Sequence, residues 1–211
     1  MADWVAISSL ATAGGTLVLA AATFASVRSA NRAARVAESA LLVGLRPLLV
    51  PSRLNDIDQK VGFYDGKWVK LSGGRGVAEA TGDAVYLALS LRNVGSGIAV
   101  LHGWRLETGR ARGMQPEQPS EGEFHRLSRD LYVPVGDVAF WQGAFRDPSR
   151  DDFIEARAAV SDRTYLTIDL LYGDHEGGQR MISRFGMTPM DDGGWIAASV
   201  RHWYIDRPAP R

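Results

Sequence analysis

Cysteine is absent from the 211 residues. That excludes disulfides, thiolate zinc sites and cysteine nucleophiles, and it suits a reducing compartment. Net charge is absent too, with 24 Lys and Arg against 24 Asp and Glu. No global field therefore recruits nucleic acid or a strongly acidic partner. Lysine is scarce, and arginine supplies most of the positive charge. Charge of either sign is missing altogether from Trp4 to Val27, WVAISSLATAGGTLVLAAATFASV.

This 24-residue run is long enough to cross a bilayer core, which takes about 20 apolar residues. Its Ser and Thr hydroxyls can bond back to the helix backbone, which makes them tolerable in lipid. Trp4 sits where an interfacial aromatic anchor would. A cleaved secretory signal would carry positive charge before the apolar run, but the flank here is Met-Ala-Asp. A buried core helix is the other alternative, since alanine-rich segments resemble spans in hydropathy. Length and freedom from charge favour the span.

Arginines follow the run and none precedes it. Residues 28–53 hold Arg28, Arg32, Arg35, Arg46 and Arg53 against Glu38 alone. The positive-inside rule then puts the N-terminus outside and the rest of the chain in the cytoplasm. The helix is expected to continue to Gly44, with Arg28, Arg32 and Arg35 on one face as membrane-interface residues. Ser8, Ala11, Gly15 and Ala22 lie roughly on one side of the span, where small residues would admit a second copy and give a homo-oligomer. Arg46-Pro47 marks the change from helix to strand.

From Pro47 the pattern turns to short apolar runs of period two between Gly, Asp and Pro clusters, the mark of strands. Val85, Leu87, Leu89 and Leu91 alternate with smaller or polar residues, as do Leu166, Ile168, Leu170 and Tyr172. KVGFYDGKWVKL reads as a hairpin around Asp65-Gly66. LYVPVGDVAFW reads as one strand with an edge or bulge at Pro134 and Gly136. SGGRGVAEATG reads as a flexible connection. Eight or nine such strands predict an antiparallel β-sandwich. The expected division is a transmembrane and juxtamembrane helix over 1–45, a sandwich over 46–205 and a flexible tail over 206–211. Glu107–Glu123 is expected to be a long polar loop.

Candidate chemistry is sparse. LRNVGSGIAVLHGW, Leu91–Trp104, brackets a serine with glycines. A phosphate loop needs a lysine and a helix after the glycines, and a serine-nucleophile elbow needs Gly-x-Ser-x-Gly before a helix. Neither pattern is met, and a strand follows. Asn93, Gly95 and Gly97 are therefore read as backbone-turn residues, with the glycines supplying unusual dihedrals. Asp174, His175 and Glu176 stand together in GDHEGG. Three consecutive strand residues do not converge on one metal, so a polar hairpin turn is the reading. His102 and His202 fall on strands as structural residues, and His125 has no partner by spacing. Asp151-Asp152 and Asp191-Asp192 adjoin turn signals and are read as solvated. Trp104, Trp141, Trp195 and Trp203 are weighed as core against a sugar-stacking platform, with core favoured.

A strand, Asn-x-Gly, a small residue at Ala99 and a second strand resemble the motif of bacterial immunoglobulin-like β-sandwiches. With the span, the basic helix, RPLLV and LLYGDHEGG, the layout resembles uncharacterised actinobacterial single-pass membrane proteins. That resemblance implies a mainly β fold and an anchor, and it carries no catalytic residue, cofactor or metal. The expected function is a non-catalytic interaction or scaffold module facing the cytoplasm, its partners membrane lipid and another protein. A small-ligand or carbohydrate sensor is the alternative, and a hydrolase built around Asp174, His175 and Glu176 comes third.

Overall fold

The structure, a computed structural model, describes residues 2–109 and 117–206. It divides into two compact units between Val43 and Gly44. The expected flexible tail beyond Asp206 and the middle of the expected polar loop lie outside the described residues.

The first unit is helix α1, Ala2–Gly44. No proline interrupts it, so 43 residues continue as one helix of about 64 Å at 1.5 Å per residue. Ile7–Leu42 is long and apolar enough to cross a membrane. Leu10, Leu17, Leu19 and Phe24 are exposed along it. The Thr12 hydroxyl donates to the Ser8 carbonyl at 2.9 Å, and Thr16 donates to Thr12 at the same distance. Each hydroxyl thereby finds its partner within the helix, as a lipid environment requires.

The second unit is mainly β. Its strands are β1 Leu49–Pro51, β2 Gln59–Gly62, β3 Trp68–Leu71, β4 Arg75–Ala80, β5 Val85–Asn93, β6 Ala99–Thr108, β7 His125–Val133, β8 Val138–Phe145, β9 Leu166–Asp174, β10 Arg180–Pro189 and β11 Trp195–Tyr204, with helix α2, Asp151–Ser161, between β8 and β9. All pairings are antiparallel. Nine strands form one curled sheet, and β2 and β3 form a separate hairpin. In the sheet β8 takes one edge of β5 along Val85–Arg92, so β4 and β1 share the other edge. On the far side β11, β10, β9, β6 and β7 follow in order. Among the described residues the sheet ladder joins the two groups of strands at two residue pairs, Trp195 with Gly76 and Ile196 with Arg75.

Residues from both groups fill one core. Val85, Leu87, Leu89 and Leu91 meet Leu166, Ile168, Leu170 and Tyr172, and Trp104, Trp141 and Trp195 lie among them. These tryptophans are core residues. Trp203 belongs to a smaller cluster with Phe124 and Ile182. The other face of β5 is also covered, because Tyr86 and Ala88 pack under Val61, Phe63, Val69 and Leu71 of the hairpin.

Several local expectations are corrected. The described residues form eleven strands. SGGRGVAEATG contains β4, whose Val77 and Ala78 pack on opposite sides of the sheet. LYVPVGDVAFW holds the end of β7, a turn with Gly136 at φ +77°, and the start of β8. Asp151 and Asp152 open α2, where acidic side chains favour the helix N-terminus. Phe153, Ala156 and Val160 of that helix are buried in the core. Helical spacing over so short a stretch, amid strands, hid it from pattern reading. Of Glu107–Glu123, the first two residues finish β6 and the last three form a 3₁₀ turn.

Candidate functional site

The Asn93 turn is built differently from its sequence reading. Gly95 and Gly97 do not adopt positive φ. They are required because the chain arriving from Gly44 lies on them. A Cβ on Gly97 would stand 1.8 Å from the Leu45 carbonyl oxygen, and one on Gly95 would stand 2.4 Å from the Leu48 nitrogen. The amides of Ser96 and Gly97 donate to the Arg46 carbonyl at 2.9 and 3.2 Å.

Asn93, fully buried, spends its side chain on four backbone groups. Its Oδ1 accepts from Leu48 at 3.2 Å and Gly95 at 3.0 Å. Its Nδ2 donates to Gly97 at 2.7 Å and Val133 at 3.0 Å. The turn is a structural clamp holding the incoming chain, the β5–β6 connection and the end of β7.

The other sequence candidates separate in space. Trp4, Arg28, Arg32 and Arg35 are exposed on α1, as are Ser8, Ala11, Gly15 and Ala22. Asp174 is buried and accepts from the Gly178 amide at 2.8 Å, closing the β9–β10 turn around Gly177. His175 and Glu176 are exposed there, 3.4 Å apart. Among the described residues no group of three His, Asp or Glu is placed to hold a metal. His102 lies on β6, as expected, but is exposed at an irregularity in that strand. His202 accepts or donates at 2.6 Å with Ser183, which also meets the Tyr172 hydroxyl at 2.7 Å. Ser183 and Tyr172 are fully buried, so this chain of hydroxyls is structural. Burial pushes the Tyr172 phenol up to about 12 and holds the His202 imidazole below its ordinary value.

Charges that sequence spacing did not connect meet on the outer face of β6, β9 and β10. Arg184, almost fully buried, donates from Nε and an Nη to Asp169 at 2.7 and 2.8 Å. Arg105 reaches the same carboxylate at 3.0 Å and Glu123 at 3.0 Å. This network ties three strands to the 3₁₀ turn.

The open site lies between β7 and β8. These strands follow one another in the chain, yet β7 pairs only with β6 and β8 only with β5 among the described residues. The gap is a groove of about 560 Å³. Consecutive residues line it, His125 to Arg129 on β7 and Gln142 to Ala144 on β8. Neighbouring side chains alternate between faces of a strand, so a wall of consecutive residues is a strand edge. The β7 wall is also bulged. Leu101 pairs with Leu131 and Gly103 with Arg126, so Leu127–Asp130 stand opposite His102 alone and have no partner in the β6 register.

Aromatic rings furnish the rest. Trp104 forms the floor, with His125 at 4.7 Å and Phe145 at 5.1 Å between ring centres. Tyr64 and Trp68 stand at the rim, 84% and 67% exposed. The Arg146 guanidinium covers the Tyr64 ring at 4.2 Å and donates to Asp65 at 3.2 Å. Burial raises the Asp65 carboxyl, but hydrogen bonds from Tyr86, the Lys67 amide and Arg146 outweigh it and leave its pKa below the ordinary value. Gln142 keeps a buried side-chain oxygen that has no donor among the described residues.

Sequence reading passed over Tyr64, Trp68, Arg126 and Arg129. A signal was present: HRLSRDLY carries charges in both alternating positions, which a strand covered on one side and paired on both edges does not tolerate. The chain matches no protein-family model, no curated protein and no solved structure.

Proposed function

We propose that the protein is a membrane-anchored, non-catalytic interaction module whose β7–β8 groove takes an extended polypeptide segment by strand addition. The observation that carries this is the pair of unpartnered strand edges facing one aromatic-floored groove. Strand edges offer rows of backbone donors and acceptors, and neighbouring pockets supply side-chain selectivity. In this reading α1 is a single membrane span with its N-terminus outside, and the β domain faces the cytoplasm. Trp4, Arg28, Arg32 and Arg35 are the interface anchors. The two strand groups, joined by two residue pairs, are the layers of an immunoglobulin-like sandwich, and the Asn93 turn carries the chain from one layer to the other. The resemblance to actinobacterial single-pass membrane proteins belongs to the same proposal.

Two experiments test it. Purification from detergent-solubilised membranes after mild cross-linking is expected to recover a specific partner whose binding protects β7 and β8 amides from hydrogen exchange. Recovery of the protein alone, or a partner that leaves those amides unprotected, would refute the reading. A cytoplasmic-type reporter fused after Arg211 is expected to be active, and activity of a periplasmic reporter there would invert the topology.

The exposed Tyr64 and Trp68 favour one second reading, a carbohydrate or small-ligand sensor, because flat aromatic faces stack on sugar rings. Loss of oligosaccharide binding on Trp68→Ala, without any peptide binding, would select it.

A further inference from the structure

We infer that the segment held in the groove is acidic, an extended stretch of a partner protein rich in Asp or Glu. The inference rests on the strand-addition reading and adds the chemistry of the occupant. Three arginines, Arg126, Arg129 and Arg146, line the groove, and among the described residues no carboxylate lines it. Arg146 is partly neutralised by Asp65 at 3.2 Å. Arg126 and Arg129 are exposed and form no ion pair among the described residues. The chain as a whole is neutral, so the arginines of the groove do not simply reflect a net positive charge.

Position strengthens the case. Arg129 lies between Leu127 and Leu131, both half-buried against the core, yet is itself exposed because the bulge breaks the alternation of the strand. Arg126 adjoins the bulge and Arg129 lies within it, where the β6 register offers no partner. Charge and bulging on a free edge oppose indiscriminate strand pairing. A strand carrying carboxylates is the kind that converts this repulsion into attraction, while its amides meet the open edge. Trp68 and Tyr64 at the rim would cover an apolar side chain between the acids.

The test selects a random linear peptide display library on the full chain in nanodiscs of neutral phosphatidylcholine. Selected peptides are expected to be enriched in Asp and Glu. The double variant Arg126→Glu and Arg129→Glu should bind them at least about tenfold more weakly, and raising salt from about 50 to 500 mM should weaken wild-type binding severalfold. Amide exchange on the double variant checks that it is folded. Arg126→Gln with Arg129→Gln, which removes charge without reversing it, should fall between the two. Peptides that protect β7 and β8 but show no acidic excess and no response to either double variant would overturn the inference and leave strand addition standing. Peptides that bind without protecting β7 or β8 would overturn both. So would binding of oligosaccharides, of anionic vesicles or of a second copy of the chain at this groove in place of peptide.

Discussion

Replacing Asn93 with alanine should be among the most damaging single changes in the β domain. Four side-chain hydrogen bonds are lost, to Leu48, Gly95, Gly97 and Val133. Each contributes about 1 kcal/mol net, so the expected loss is about 4 kcal/mol. That is a large share of the roughly 5–15 kcal/mol by which domains are stable. For a domain of this size each kcal/mol moves Tm by about 2–4 °C, so Tm should fall by about 8–16 °C. Thermal and urea unfolding, followed by the β-sheet circular dichroism signal, would measure it. Hydrogen exchange should quicken first at Leu48, Gly95, Ser96 and Gly97. Asn93→Asp provides a sharper check. Aspartate can still accept from Leu48 and Gly95, but it cannot donate to Gly97 and Val133, and it brings a charge to a buried site. It should be as damaging as alanine. A loss under about 1 kcal/mol for alanine, or wild-type stability for aspartate, would refute the clamp.

Three further outcomes follow from burial and charge. Asp169→Asn takes from buried Arg184 its hydrogen-bonded carboxylate, leaving only Glu107 at 3.8 Å, and should cost about 3 kcal/mol in urea unfolding. Phe153→Ala opens a cavity where α2 enters the core and should cost about 3–5 kcal/mol by the same measurement. The Tyr172 phenol, at about 12 in the folded chain and near 10 when unfolded, keeps its proton in the folded state while the unfolded chain loses it. Stability is therefore intact below pH 10 and falls as pH rises to about 12, by roughly 2–3 kcal/mol. Tyr172→Phe should flatten that decline in urea midpoints measured between those pH values, and an unchanged slope would contradict the assignment.

The long helix, the strand-rich domain and the Asp65-Gly66 hairpin were all readable in the chain, because each is a local pattern of period or turn residues. Asn93 and its glycines were legible as a turn. Their reason was not, since it lies in residues 45–48, 45 residues away along the chain at Leu48 and in direct contact in space. Helix α2 was lost because eleven residues among strands give few helical repeats to count, and its two opening aspartates resemble a loop. The groove was illegible for a different reason. A strand edge is defined by the neighbour it lacks, and pairing is a property of the fold. Only the charges on both alternating positions of β7 hinted that one edge stays open.

The β2–β3 hairpin has a practical consequence. Lys60, Lys67 and Lys70 all lie on it, and the chain has no other lysine. Side-chain amine chemistry is thus confined to one small patch next to Tyr64 and Trp68. A lysine-directed cross-linker will join whatever occupies the groove's rim and leave the rest of the surface silent. Because cysteine is absent, one introduced thiol elsewhere would give a second, orthogonal label with no background to remove.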